Sequence, residues 1–222
     1  MIREVNLQEI SDGKLYGLND MVKADCQECN GCSACCQGMG DSIILDPLDI
    51  FRLTTNLNCS FEELLKEKVT LNIVDSMILP NLKMAEGSER CAFLNKEGRC
   101  SIHKFRPGIC RIFPLGRFYE NNSFQYFLQI HECKKDNRSK VKVRKWIDTP
   151  DAKNYEQFIV EWHYFLKDIQ KMLESEQNEH LLKEIGMYIL KYFYLMPYKS
   201  GSDFYGEFRE RLDTAREFVK TL

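Results

Sequence analysis

The stretch ADCQECNGCSACCQGMGD, residues 24–41, places Cys26, Cys29, Cys32, Cys35 and Cys36 within eleven consecutive positions. A buried free cysteine behaves as a small hydrophobe and needs no such crowding. Thiolates bind soft and borderline metals, and a C-x2-C step lets two sulfurs reach one ion from a tight turn. Here the step recurs in register, from Cys26 to Cys29, from Cys29 to Cys32 and from Cys32 to Cys35. Gly31, Gly38 and Gly40 permit the sharp bends that wrapping a metal demands. The stretch therefore predicts a metal-stabilised, loop-rich fold built around these thiols.

Working outward, four more cysteines lie on or beside short predicted strands: Cys91, Cys100, Cys110 and Cys133. Nine thiols are candidate ligands, and a fold can gather them although the sequence separates them. Two four-cysteine sites would use eight and leave one as a spare, a bridging ligand or a reactive thiol. The tenth, Cys59, precedes a capping serine and reads as a packed side chain. Structural zinc sites are commonly four-coordinate with paired C-x2-C steps. Overlapping steps on one loop suit an iron–sulfur cluster better, because a cluster presents several irons. The bacterial ferredoxin run C-x2-C-x2-C-x3-C-P is not matched, since Cys35 is followed directly by Cys36. Iron–sulfur is the expected cofactor, with zinc as the alternative, and thiol–disulfide exchange remains a third use of C-x2-C pairs.

The rest of the chain bounds the reading. At 222 residues and 26.2 kDa it can bury one good core. Thirty-one Lys and Arg stand against 33 Asp and Glu, which argues against binding nucleic acid by phosphate neutralisation. No apolar run reaches the roughly 20 residues of a membrane helix. The N-terminal MIREVNLQEISDGKLYG lacks the apolar core of a signal peptide, which predicts a cytoplasmic protein with reduced thiols.

The expected class is α+β: a cysteine-cluster metal-binding domain over residues 1–147, then a helical part over 148–222 packed on it. SIIL (42–45) reads as a strand running into a helix capped by Asp46, with Pro47 in its first turn. Ser60 and Glu63 form a capping box for a second helix. VTLNIVDSMILPNLKM reads as two strands around Asp75 and Ser76, although Pro80 weakens the second. Hairpins are expected around Gly98 and around Asn121–Asn122. Beyond Thr149 and Pro150, read as cap and first turn, apolar positions from Tyr155 to Leu173 recur every three or four residues, as on an amphipathic helix. Two further helices follow. The connector KKDNRSKVKVRKW (134–146) reads as an exposed basic strand or a contact for an acidic partner.

The signature Cys29-x2-Cys32-x2-Cys35-Cys36 and the downstream segment CAFLNKEGRCSIHKFRPGICRIFPLGR (91–117), followed by Cys133, resemble the YkgJ-type CxxCxxCC cysteine-cluster family. The resemblance covers residues 26–133 and implies zinc or iron chelation by eight cysteines, with Cys26 additional. The cysteine pattern is also distantly similar to that of flagellin lysine-N-methylase, which implies S-adenosylmethionine-dependent protein methylation as an alternative. GMGDS (38–42) follows a cysteine loop and precedes a predicted strand, the wrong context for a nucleotide-binding loop. Arg106 and Arg111 flank Cys110 and are candidate cofactor-binding residues, either offsetting thiolate charge or holding an anion. His103 and His131 lie near cysteines and are secondary ligand candidates. No catalytic constellation stands out, and a redox or protein partner is left unnamed by the sequence.

Overall fold

The computed structural model describes residues 6–26, 32–85, 87–135, 137–175, 178–199, 201 and 203–221. It is a mixed α+β structure with small antiparallel sheets and a helical C-terminal part. A single turn of helix, α1 (Leu7–Ile10), leads into β1 (Ser11–Tyr16), and β2 is Met21–Asp25. Helices α2 (Pro47–Leu57) and α3 (Phe61–Glu67) precede the hairpin β3 (Val69–Val74) and β4 (Met77–Leu82). The short pair β5 (Met84–Ala85) and β6 (Arg90–Cys91) comes next, then α4 (Gly108–Ile112).

Strands β7 (Leu115–Glu120) and β8 (Ser123–Gln129) form a hairpin that β1 extends, in the order β1-β8-β7. Asn121 and Asn122 both take positive φ at its turn, as do Asp75 and Ser76 between β3 and β4. Two such residues match the turn twist to that of the strands. Strand β9 (Ser139–Lys142) returns to pair with β2, bringing Lys142 opposite Met21 and Val141 opposite Val22. Within the basic connector Ser139–Lys142 form strand β9, and from Val143 onward it becomes α5 (Val143–Ile147), which leads to the helical part.

The Ser60–Glu63 capping box forms as the sequence predicts, and Asp46, predicted as an N-cap, forms a second box with Asp49. Pro80 lies inside β4 opposite Leu71, and its carbonyl accepts from the Leu45 amide at 2.8 Å. The predicted strand at 42–45 shrinks to one bridge, Ile44 to Asn81, because the cap at Asp46 turns the chain into α2 immediately afterwards. The long helix α6 (Ala152–Ser175) starts later than Thr149 and Pro150 suggest. Asp151, at positive φ, is the residue whose side chain receives the Asn154 amide.

One apolar cluster runs from Tyr16 to Ala215 and joins the cysteine-rich half to the helices. Tyr155, Phe158, Ile159, Trp162, Phe165, Ile169 and Leu173 form the buried stripe of α6. Trp162 packs against Phe165, Phe193, Tyr194 and Phe208. Helix α7 (Glu179–Leu190) passes into a π-helical turn, Lys191–Leu195, before α8 (Phe204–Lys220). The Arg211 guanidinium closes that turn by donating to the carbonyls of Tyr192, Met196 and Pro197. Tyr194 Oη reaches back to the Leu45 carbonyl at 3.1 Å, tying the turn to the entry of α2.

A polar knot sits where α2, α4, β7 and α6 meet. Asp49, 2% exposed, accepts from Asp46 N and, through Oδ1, from Gly108 N at 2.8 Å. Arg117 donates to Tyr155 Oη at 2.7 Å, and Arg52 to Thr149 Oγ1 at 2.9 Å. Burial and the neighbouring Asp49 carboxylate push the Asp46 carboxyl up to about 8, and burial raises Asp49 as well. A carboxyl raised in the folded state binds its proton more tightly there than in the unfolded chain. Its contribution to stability is therefore full below the unfolded value near 4 and declines as pH rises to about 8. Asp46→Asn is expected to flatten that decline, which urea midpoints across pH 4–9 would measure in both proteins at equal metal loading. An unchanged slope would show that the carboxyls ionise freely.

Candidate metal centre

The cysteine loop leaves β2 at Cys26, which is buried, and reaches a single 3-10 turn at Ala34–Cys36. Cys29 and Gly31 lie outside the described residues. The Cys36 amide closes the turn on the Ser33 carbonyl at 2.9 Å. The following residue, Gln37, forms an antiparallel bridge with Arg90, and Gly38 N donates to Glu89 O at 2.9 Å. Those bonds bring the turn alongside Cys91. A second bridge, Leu94 to Cys100, folds the Asn95–Gly98 turn back and sets Cys100 beside the same segment. Cys110 arrives on α4, whose first residue, Gly108, donates its amide to Asp49.

The thiols divide into two groups. Cys36 donates to Cys35, and its pKa is raised first by that bond, then by burial and by the charges of Cys35, Cys100 and Cys91. Cys110 is pushed up by burial, then by Asp49, Cys91, Cys100 and Cys35. Burial likewise raises Cys91 and Cys100. These thiols form an inner group. Cys133, beyond β8, is raised by burial and then by Cys26 and Cys32, and defines an outer group. Cys26, Cys32 and Cys133 line one surface hollow together with Cys35, Phe113, Pro114, Glu132, Lys134 and Lys135. Cys59 packs against the edge of the core, where burial and Glu63 raise it.

The two candidate arginines separate. Arg106 faces the thiols: its charge lowers both Cys35 and Cys100, and Nη1 lies 2.8 Å from His103 Nε2. Cys35 is brought down to about 7, chiefly by the Cys36 hydrogen bond and further by Arg106. Arg111 instead spends its donors on carbonyls, reaching Lys104 at 2.6 Å and Asp148 at 3.0 Å. It anchors α4 to the connector. His131 is exposed at the end of β8.

Residues 28–141, a little over half of the chain, match the CxxCxxCC family, described as a zinc- or iron-chelating domain. The chain belongs to the CxxCxxCC family. No curated protein and no solved structure matches it. The matched segment holds Cys29 to Cys133, while Cys26 lies just before it. Among the described residues, no three Cys, His, Asp or Glu side chains stand in the closed geometry of an ion site. The donor chemistry fits a thiophilic metal nonetheless, because each group gathers thiols and the inner one has a guanidinium at its edge. Cys36, Cys91, Cys100 and Cys110 would hold an inner metal group, and Cys26, Cys32 and Cys133 an outer one. Each would supply metal–thiolate chemistry in place of protonated thiols.

Two contributors to this CxxCxxCC centre escape the sequence reading. Asp49, an acidic residue in the first turn of α2, also fixes through its second oxygen the start of the helix that carries Cys110. Gly108 carries no local signal, but a Cβ there would meet Tyr155 Oη at 2.5 Å and Asp49 Oδ1 at 3.7 Å. Gly108→Ala is expected to cost about 1–3 kcal/mol by overpacking and to displace Cys110. Thermal melting with metal quantitation would measure this, and normal stability with full metal content would contradict it.

Proposed function

We propose that this chain is a two-site iron–sulfur protein with a redox or cofactor-dependent role. The observation that carries the reading is the folding of eight described cysteines into an inner and an outer group around one short turn. Cys91 is buried and Cys36, Cys100 and Cys110 are half-buried, with Arg106 beside the group. Burial and a nearby positive charge are levers that tune cluster potential. Overlapping C-x2-C steps on one loop favour a polynuclear centre over a single ion. Reduced thiols of this number also suit a reducing, cytoplasmic setting.

A zinc reading rests on a specific count. The inner group has four cysteines of its own, Cys36, Cys91, Cys100 and Cys110, the number a closed tetrahedral zinc site needs. Iron, zinc and acid-labile sulfide, measured per chain after anaerobic purification, separate the two. About four to eight irons with matching sulfide support iron–sulfur clusters. One or two zincs without sulfide overturn that reading and make the thiol half a structural scaffold. The partner side of the proposal is the ribbon of β2 and β9, where Lys23, Lys140 and Lys142 are exposed beside the rim lysines of the outer hollow. It offers a docking face to an acidic partner protein.

A further inference from the structure

We propose that Tyr155 and Trp146, both beyond the segment that matches the family, are positioning residues for Cys110 at the inner metal group. The inference rests on the metal-binding reading above. Helix α4 has five residues, barely more than one turn, and a helix that short does not hold its own pose in water. Its orientation is set by what it touches. At its first residue, Gly108 N donates to Asp49 Oδ1 at 2.8 Å. Tyr155 Oη fills the space beside that glycine, 2.5 Å from where a Cβ would stand. Arg117 Nη2 donates to the same hydroxyl at 2.7 Å and fixes it there. At the other end of α4, the Trp146 indole N–H is shared between the carbonyls of Ile112 and Phe113, at 3.1 and 3.2 Å.

Carbonyls at a helix C-terminus have no partner inside the helix, so the indole meets a need that α4 cannot meet alone. Cys110 therefore sits between two fixtures, one on α5 and one on α6, and residues 28–141 contain neither. A thiolate carried on a short helix must arrive already aimed, or ordering it costs binding energy. The glycine gives the sign of the test. In Gly108→Ala the added methyl collides with the Tyr155 hydroxyl alone, since the next atoms, Tyr155 Cζ and Asp49 Oδ1, stand at 3.6 and 3.7 Å. Tyr155→Phe should therefore impair metal binding in the native background and improve it in the Gly108→Ala background.

The test titrates the metal-free full chain with cobalt(II) against a competing chelator under anaerobic conditions, with thiolate-to-cobalt absorption as readout. Cys110→Ser marks the ion concerned. Tyr155→Phe and Trp146→Phe should each weaken that ion about tenfold, the scale on which removing a ligand's support acts. In Gly108→Ala, adding Tyr155→Phe should recover about threefold or more. Trp162→Ala, further along α6, should lower stability and leave the cobalt affinity of the folded protein unchanged. Unchanged affinity in Tyr155→Phe and Trp146→Phe, additive effects with Gly108→Ala, or an equal loss in Trp162→Ala overturns the proposal and leaves Cys110 a ligand. Cobalt binding indifferent to Cys110→Ser defeats the reading beneath it.

A measurement on the unmutated protein covers the case in which the variants do not fold. Contacts that favour the bound metal must in turn be favoured by it. Cobalt loading should therefore slow amide hydrogen exchange across α4 and across residues 146–155 together. Helix α7 (Glu179–Leu190) serves as the control and should change less. Protection gained in α4 with none at 146–155 overturns the proposal.

Discussion

Removing metal with a chelator at neutral pH is expected to lower the melting temperature by roughly 8–16 °C for each site emptied. A ligand present at about 1,000 times its dissociation constant stabilises the folded state by about 4 kcal/mol. For a chain of this size that corresponds to roughly 2–4 °C per kcal/mol. The cause is visible in the inner group, where burial leaves Cys91, Cys100 and Cys110 raised and therefore protonated without metal. Metal binding must displace those protons, so loading weakens as pH falls. A drop from pH 8 to pH 6 is expected to weaken each site at least about tenfold. Differential scanning calorimetry with and without chelator checks the first result. Complete metal loss without a change in melting would contradict it.

The second large effect belongs to the helical part. Trp162→Ala is expected to cost about 3–5 kcal/mol, and saturating metal should not restore it. The indole is 6% exposed and stands among Phe165, Phe193, Tyr194 and Phe208. Its loss opens a cavity between α6, the π-helical turn and α8 that rigid aromatic rings fill poorly. Urea unfolding of metal-loaded protein gives the value. A loss below about 1 kcal/mol would mean that the stripe of α6 collapses freely onto the gap.

Local chemistry was legible in the sequence wherever a few adjacent residues decide the outcome. Asp46 with Pro47 and Asp49, and Ser60 with Glu63, specify their helix starts through side chains that meet nearby amides. The Asn121–Asn122 turn and the apolar stripe of α6 follow from the same short-range logic. The family motif marked the thiols as candidate metal ligands without dividing them. Their division depends on contacts between distant segments: Gln37 with Arg90, β2 with β9, and Asp49 with Gly108. None of these pairings leaves a local signal. Arg106 and Arg111 look equivalent beside Cys110, and only the backbone carbonyls around Arg111 separate their roles. The start of α6 moved for a similar reason, since Asp151 adopts positive φ and supplies the cap that Thr149 was expected to provide.

The most direct test of thiolate metal binding is X-ray absorption at the edge of the metal that co-purifies with the anaerobic protein. The account predicts a first shell of about four sulfurs per metal, near 2.3 Å, with light-atom ligands absent or minor. It also predicts that Cys91→Ser and Cys133→Ser each remove sulfur from that shell. A shell dominated by nitrogen or oxygen at about 2.0–2.1 Å would contradict it.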